Sequence, residues 1–201
     1  MTIIVGLTGG IASGKTTISK FLKKKRYPVH DSDAVVKKIY SNPKPSFLKH
    51  LKSINLSDSI RGKKVSKNKI REEIFNNQIK KRKLEKFIHN EVRRSREQFI
   101  KKHKNTKKKV LILDIPLLFE SKLSHICDYI ILLYAPKKTK ILRAMARKGM
   151  KKNIILKILK SQLNDSYKKK KTDFVINTSK SKNHSFKVIL DVISNIIKNH
   201  A

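Results

Sequence analysis

The sequence predicts an α/β fold in which helices flank a parallel, doubly wound sheet. Five short apolar segments, at residues 2–7, 27–33, 110–115, 129–134 and 174–176, alternate with segments of helical periodicity. This alternation favours parallel strands joined by helical crossovers. A glycine-rich loop follows the first apolar segment, and a long stretch without a strand pattern separates the second from the third. The predicted fold therefore has a ligand-binding loop after its first strand and a helical insertion between its second and third strands.

The loop between the first strand and the first helix carries the pattern G-x-x-x-x-G-K-T from Gly9 to Thr16. Glycines let successive N–H groups turn inward around an anion, and the N-terminus of the following helix adds a favourable field. Lys15 supplies a charge for the β- and γ-phosphates, and the Thr16 hydroxyl supplies a ligand for Mg²⁺. The predicted phosphate-binding residues are Gly10, Ile11, Ala12, Ser13, Gly14, Lys15, Thr16 and Thr17.

The second predicted strand ends in a cluster of carboxylates, Asp31 and Asp33. Ligands of open parallel sheets bind beyond the carboxyl ends of the strands, so one of these residues is a candidate catalytic base. Aspartate is also a common cap of helix N-termini. Capping or local support is the main alternative for Asp31, and capping alone is the alternative for Asp33.

Residues 34–109 contain helical patterns and no convincing strand. One predicted helix ends before Pro43, a second surrounds Ile70, and a longer one has an apolar stripe along 84–99. Residues 42–62 are predicted to be a loop with at most a short helix at 47–51. Because this insertion is too long for a simple crossover, we expect a substrate-binding domain.

The last part of the chain returns to alternating strands and helices. Arg143 and Arg147 are spaced i and i+4, and they are predicted to share one face of a helix. A second helix carries apolar positions from Ile155 to Leu163, and residues 168–171, all lysine, are predicted to be a charged break. The last helix is predicted around 186–197.

The composition is strongly basic, with 50 Lys and Arg against 14 Asp and Glu in 201 residues and a formal charge of +36. Such a charge attracts nucleic acid, anionic membranes or phosphorylated metabolites without ranking them. The lysines are scattered through every helix, and aromatic residues do not alternate with the basic runs as single-strand binding requires. We expect solvated surface lysines and no specific nucleic-acid partner.

The remaining features of the composition bear on location. No apolar stretch reaches membrane-spanning length, and the N-terminal apolar run lacks a cleavage-site pattern. The single cysteine, Cys127, cannot form an internal disulfide, so a cytoplasmic protein without membrane association is expected. A monomer is the simplest expectation, although the sequence leaves an oligomer open.

Several stretches, taken together, resemble the dephospho-coenzyme A kinase family. They are residues 6–17, 30–34, 88–89, 114–120, 143–147, 162 and 172–177. The resemblance implies a P-loop kinase core with a five-stranded parallel sheet at 1–33 and 110–201, a helical coenzyme A domain at 34–109, and a small helical lid at about 143–170. It also implies transfer of the γ-phosphoryl group of ATP, with Mg²⁺, to the ribose 3′-hydroxyl of 3′-dephospho-coenzyme A.

The resemblance also implies roles for particular residues. Asp33 matches the catalytic carboxylate, Lys15 bridges phosphates, and Arg143 and Arg147 clamp the transferring group as the lid closes. Asn177 lies in the segment expected to face adenine. The positions expected near the acceptor, besides Asp33, are Thr8, His89, Pro116 and Leu117. Asp114 is either a second Mg²⁺ ligand beside Thr16 or a structural turn residue.

Some positions depart from the family pattern. Asn90 stands where proline usually follows the histidine, and Lys67 stands where arginine is usual, which removes a planar two-pronged contact. Thr172 and Ser179 replace a common alanine and glycine. Ala12 replaces a loop glycine, and alanine is small enough to be tolerated there if its φ is negative. Two other functions remain open, a kinase for a nucleoside monophosphate or another small hydroxyl compound, and a nucleic-acid-binding phosphate-loop protein.

Overall fold

A five-stranded parallel sheet forms the centre of the first of two units in the computed structural model, which describes residues 2–104, 106 and 108–200. The first unit comprises residues 1–31 and 100–201, and the second comprises residues 32–99. Residues 1 and 201 of the predicted core, and 105 and 107 of the predicted insertion, lie outside the described residues. The two units divide the chain between residues 31 and 32 and between 99 and 100, whereas the predicted domains divide it between 33 and 34 and between 109 and 110.

The sheet has the strand order β2-β5-β1-β6-β7. Its strands are β1 (Ile3–Thr8), β2 (Val29–Asp31), β5 (Val110–Asp114), β6 (Tyr129–Tyr134) and β7 (Phe174–Asn177). In the register, Leu7 and Asp31 both stand opposite Asp114. The carboxyl ends of β1, β2 and β5 therefore meet at one edge, where a parallel sheet places its ligands.

Five α-helices lie entirely within the described part of the first unit. They are α1 (Lys15–Lys24), α6 (Lys137–Met145), α7 (Lys152–Ser161), α8 (Asp165–Lys170) and α9 (Lys182–Lys198). Ile18 and Leu22 of α1 and Ile189 and Ile193 of α9 are buried in the same core as the apolar residues of β1 and β5. This shared burial fixes the helix that follows the phosphate loop against the sheet.

The second unit has its own hydrophobic core. Its elements are α2 (Ser32–Ser41), α3 (Pro45–Ser53), β3 (Ile60–Arg61), β4 (Lys64–Val65), α4 (Lys67–Phe75) and most of α5 (Gln78–Lys104). Phe47, Leu51, Ile70 and Leu84 are buried together. The expectation of no strand between 34 and 109 is wrong, because β3 and β4 form an antiparallel hairpin whose turn contains Gly62 at φ +57°.

Three local predictions in the first unit are corrected. The second strand ends at Asp31 rather than at Asp33, because the chain enters α2 at Ser32. Arg147 lies beyond the last residue of α6, so it does not share a helix face with Arg143. The charged break predicted at 168–171 is largely helix α8, and Lys168 is only 1% exposed.

Across the part of the chain that the structure describes, none of the helices combines the length and the apolar character that a membrane span needs.

Candidate active site

The phosphate loop connects β1 to α1 in a conformation that requires its glycines. Gly14 precedes α1 with φ +90°, a region that side chains rarely adopt. A Cβ atom on Gly9 would lie 2.6 Å from the Leu133 carbonyl oxygen, so no side chain fits there. The condition of a negative φ is not met at Ala12, whose φ is +55°. The Ala12 methyl is buried with Ala144 and Ile155, and this packing offsets the backbone strain.

Lys15 and Asp114 form the central ion pair of the site, with 2.6 Å between Nζ and Oδ1. Both side chains are largely buried, Lys15 at the start of α1 and Asp114 at the end of β5. Burial raises the pKa of Asp114, the Lys15 ammonium opposes this rise, and the nearby Asp31 adds to it. The Asp31 carboxylate itself lies 3.1 Å from Lys23 Nζ.

The residues predicted to hold Mg²⁺ are of a suitable kind. Thr16 is exposed in the first turn of α1, and Asp114 lies at the edge of the sheet beside Lys15. A hydroxyl and a carboxylate are the oxygen ligands that Mg²⁺ uses in kinase sites, where it needs only one or two protein groups besides phosphate oxygens. The donor set therefore fits this ion.

Arg143 is held at the end of β7 by a residue that the sequence analysis missed. Its Nη1 donates to Thr178 Oγ1 at 3.1 Å, and its Nη2 donates to the Thr178 carbonyl at 2.6 Å. The Thr178 hydroxyl lies 2.8 Å from the carbonyl oxygen of Ser13 in the phosphate loop. No local pattern distinguishes this threonine, because its partners are distant in sequence. The neighbouring Asn177 is exposed, with its Oδ1 accepting from Ser179 N at 2.9 Å.

The segment after α7 contacts the phosphate loop. Gln162 Oε1 accepts from the Ile11 N–H at 3.1 Å. In the next residue, the Leu163 N–H donates to Glu120 Oε1 at 3.0 Å, and this carboxylate also pairs with Lys168 Nζ at 2.7 Å. Gln162 and Glu120 belong to the matching stretches of the sequence, but only the structure gives them partners.

The loop after β5 carries two of the predicted acceptor residues, Pro116 and Leu117. Leu117 is exposed and Pro116 is half-buried. Thr8 is fully buried at the end of β1, and its hydroxyl donates to the Pro116 carbonyl at 3.1 Å. Thr8 thus fixes this loop, and its hydroxyl is committed to the backbone.

The other predicted residues are found in the second unit and beyond α6. Asp33 is exposed in the first turn of α2, and His89 is exposed on α5. Lys67 begins α4 with its Nζ 5.0 Å from the centre of the Tyr40 ring. Arg147 is exposed in the turn that follows α6. The catalytic and acceptor roles of these residues stay predictions.

Comparisons with known proteins agree on one family. The profile of the dephospho-CoA kinase family matches residues 3–184. The dephospho-CoA kinase of Bartonella quintana is 34% identical over 197 residues, covering 98% of this chain and 99% of the relative. That of Fusobacterium nucleatum is 36% identical over 190 residues, covering 93% and 95%. The solved structure of dephospho-CoA kinase from Campylobacter jejuni superposes with a TM-score of 0.75 at 26% identity over the full length of both chains.

The parallel sheet, the phosphate loop with its Lys15–Asp114 pair, and these full-length matches agree with one another. The chain therefore belongs to the dephospho-CoA kinase family, whose members use ATP to phosphorylate 3′-dephospho-CoA in the last step of coenzyme A biosynthesis.

Proposed function

We propose that this chain transfers the γ-phosphoryl group of ATP to the ribose 3′-hydroxyl of 3′-dephospho-CoA, with the donor bound at the phosphate loop and the acceptor placed by Asp33. The Lys15–Asp114 pair is the observation that carries the proposal. Asp114 holds the Lys15 ammonium at the start of α1, beside the carboxyl ends of β1 and β5.

ATP is bound by the backbone of the phosphate loop and by the Lys15 ammonium. The free N–H groups at the start of α1 create a positive field that favours phosphate binding. Lys15 exchanges its contact with Asp114 for the β- and γ-phosphates when ATP binds, because two phosphate groups offer the ammonium more negative charge than one carboxylate. Thr16 and Asp114 would hold Mg²⁺, which neutralises charge on the phosphates.

The acceptor side depends on positioning. Phosphoryl transfer passes through a loose transition state, so orienting the hydroxyl in line with the phosphorus matters more than the strength of the base. The role of Asp33 is therefore to orient the ribose hydroxyl toward the phosphorus. His89, Pro116 and Leu117 complete the acceptor site, and Thr8 acts through the Pro116 carbonyl that it binds.

The lid supplies cations and excludes water. Arg143 and Arg147 stabilise the transferring group, and Asn177 lies beside adenine. Closure over the phosphates suppresses hydrolysis of ATP, because water competes with the ribose hydroxyl as an acceptor.

The composition supports the partners assigned to the chain. A single cysteine favours a reducing compartment, which we take to be the cytoplasm. The monomer and the lack of a specific nucleic-acid partner are part of the same proposal. If RNA binds, its affinity should fall steeply with salt, as expected for sequence-independent contacts to scattered lysines.

Mass-spectrometric detection of products tests the proposal. Purified protein is incubated with Mg-ATP and, separately, 3′-dephospho-CoA, CMP, dTMP, adenosine or water alone, with Lys15→Ala as the inactive control. Gain of one phosphate on 3′-dephospho-CoA only is the expected result. Turnover of a nucleotide instead, or hydrolysis alone, would overturn the named substrate and leave the fold unaffected.

A further inference from the structure

Four consecutive residues, 162–165, make contacts to three different parts of the first unit. Gln162 Oε1 binds the Ile11 N–H of the phosphate loop. The Leu163 N–H binds Glu120 in the loop after β5. Asp165 Oδ2 pairs with Lys140 Nζ of α6 at 2.6 Å. We call residues 162–165 the junction segment.

The contact with the phosphate loop is close and polar. A Cβ atom on Gly10 would lie 3.0 Å from Gln162 Oε1 and 3.8 Å from Lys140 Nζ. Lys140 is only 5% exposed, and its ammonium pairs with the Asp165 carboxylate. The side chains of Gln162 and Lys140 thus lie near the same backbone position, and a Cβ atom at Gly10 would crowd Gln162 Oε1.

The contact with the loop after β5 is equally well built. Glu120 Oε1 accepts a hydrogen bond from the Leu163 N–H and forms an ion pair with the almost completely buried Lys168, with 2.7 Å between Oε1 and Nζ. A buried charge is tolerated where an opposite charge meets it, and losing either partner is costly. Glu120 therefore fixes the end of the 116–120 loop to the junction segment and to α8.

We propose that the junction segment couples the 116–120 loop to the phosphate loop. Gln162 and Glu120 are the positioning residues, and they seat the lid only when both loops are in place. The inference rests on the proposed function, which assigns Pro116 and Leu117 to the acceptor. A displacement of the 116–120 loop is passed to Leu163 through Glu120, and from there to the phosphate loop through Gln162. Loss of either contact admits water to the phosphates and uncouples ATP consumption from transfer.

The test compares Glu120→Gln, Gln162→Met and the double variant with the parent chain. Glu120→Gln keeps an acceptor for the Leu163 N–H but removes the charge opposite Lys168, and Gln162→Met keeps the length of the side chain but removes the acceptor. Gln162→Asn, which is too short to span the same distance, replaces Gln162→Met if that variant does not fold. Ser161→Ala is the control, because this exposed hydroxyl donates to the Ile158 carbonyl of its own helix.

The measured quantity is the number of ADP molecules formed per CoA formed. Each single variant should raise this ratio about tenfold, and Ser161→Ala should leave it at the parent value. The ratio of the double variant should not exceed that of the more affected single variant, because the two contacts act in series. A merely structural role would lower both rates in proportion, and an unchanged ratio would overturn the inference. A parent chain that forms no CoA would overturn the proposed function and this inference together.

Discussion

The guanidinium of Arg143 binds Thr178 twice, once at the hydroxyl and once at the carbonyl, with distances of 3.1 and 2.6 Å. The same hydroxyl lies within hydrogen-bonding distance of the carbonyl oxygens of Ser13 and Tyr134, at 2.8 and 3.2 Å. Thr178 thus connects Arg143 to the phosphate loop and to the end of β6.

Thr178→Val keeps the shape of this side chain and removes the hydroxyl. Because buried carbonyls lose a donor, the free energy of unfolding should fall by about 1–3 kcal/mol. KM for ATP should rise several-fold, because Arg143 keeps only its carbonyl contact. Urea denaturation and steady-state kinetics check both effects. Thr178→Ser, which retains the hydroxyl, is the control, and equal KM values for the two variants would contradict the role.

Asp33→Asn should separate binding from transfer. The variant keeps the size of the side chain but cannot orient or accept the acceptor proton as a carboxylate does. The rate of transfer should fall by about 10²–10⁴-fold, the usual range for a positioned acid or base. ATP affinity, measured by calorimetry, should be unchanged. Asp31→Asn is the matched control, and transfer by Asp33→Asn within severalfold of the parent would remove Asp33 from the mechanism.

Asp114→Asn should change how stability depends on pH. Burial raises the pKa of Asp114, so the folded protein binds this proton more tightly than the unfolded chain. The contribution of Asp114 to stability is therefore complete below the ordinary aspartate pKa of about 4, and it is lost as pH rises through the raised value. Asparagine has no such loss.

The unfolding free energy of Asp114→Asn relative to the parent should thus increase between about pH 4 and neutrality, because only the parent pays to ionise a buried carboxyl group. Urea denaturation at several pH values and constant ionic strength gives this difference. A difference that decreases with pH would mean that Lys15 outweighs burial.

Ala12 combines a strained backbone with a buried methyl group. Positive φ costs alanine roughly 1 kcal/mol, whereas burying a methyl group contributes about 0.8 kcal/mol. Ala12→Gly removes both and should change the free energy of unfolding by less than about 1 kcal/mol. Ala12→Val adds a β-branched side chain beside Ala144 and should cost about 2 kcal/mol or more. Equal stability of the two variants would show that the loop is not held at this φ.

Lys168→Met tests the buried pair with Glu120. Removing the ammonium leaves a largely buried carboxylate without its counter-ion, so the free energy of unfolding should fall by roughly 2 kcal/mol or more. Lys170→Met removes the same charge from an exposed position of the same helix and should change it by less than about 0.5 kcal/mol. Similar thermal midpoints for the two variants would argue against the pair.

Local patterns were sufficient for the parts of the molecule whose structure depends on neighbouring residues. The apolar runs that became β1, β5 and β6 are buried in the sheet, as continuous hydrophobic segments of parallel sheets are. The glycine pattern between β1 and α1 located the phosphate loop, because Gly9 has no room for a side chain and Gly14 has a positive φ.

Patterns failed where distant residues decide the outcome. Lysines at 168–171 suggest a solvated break, yet Lys168 lies in a helix because Glu120 neutralises it in the interior. The two-residue strands of the β3–β4 hairpin are too short for a periodic signal, although Ile60 and Val65 pack on the core of their unit.

The sequence by itself determined the fold class, the phosphate loop and the family, because these depend on residue types at fixed spacing along the chain. Only the tertiary structure decided the partners of Arg143, Gln162 and Glu120 and the positive φ of Ala12. Charge compensation and packing between segments far apart in sequence determine these features, and such segments meet only in the folded chain.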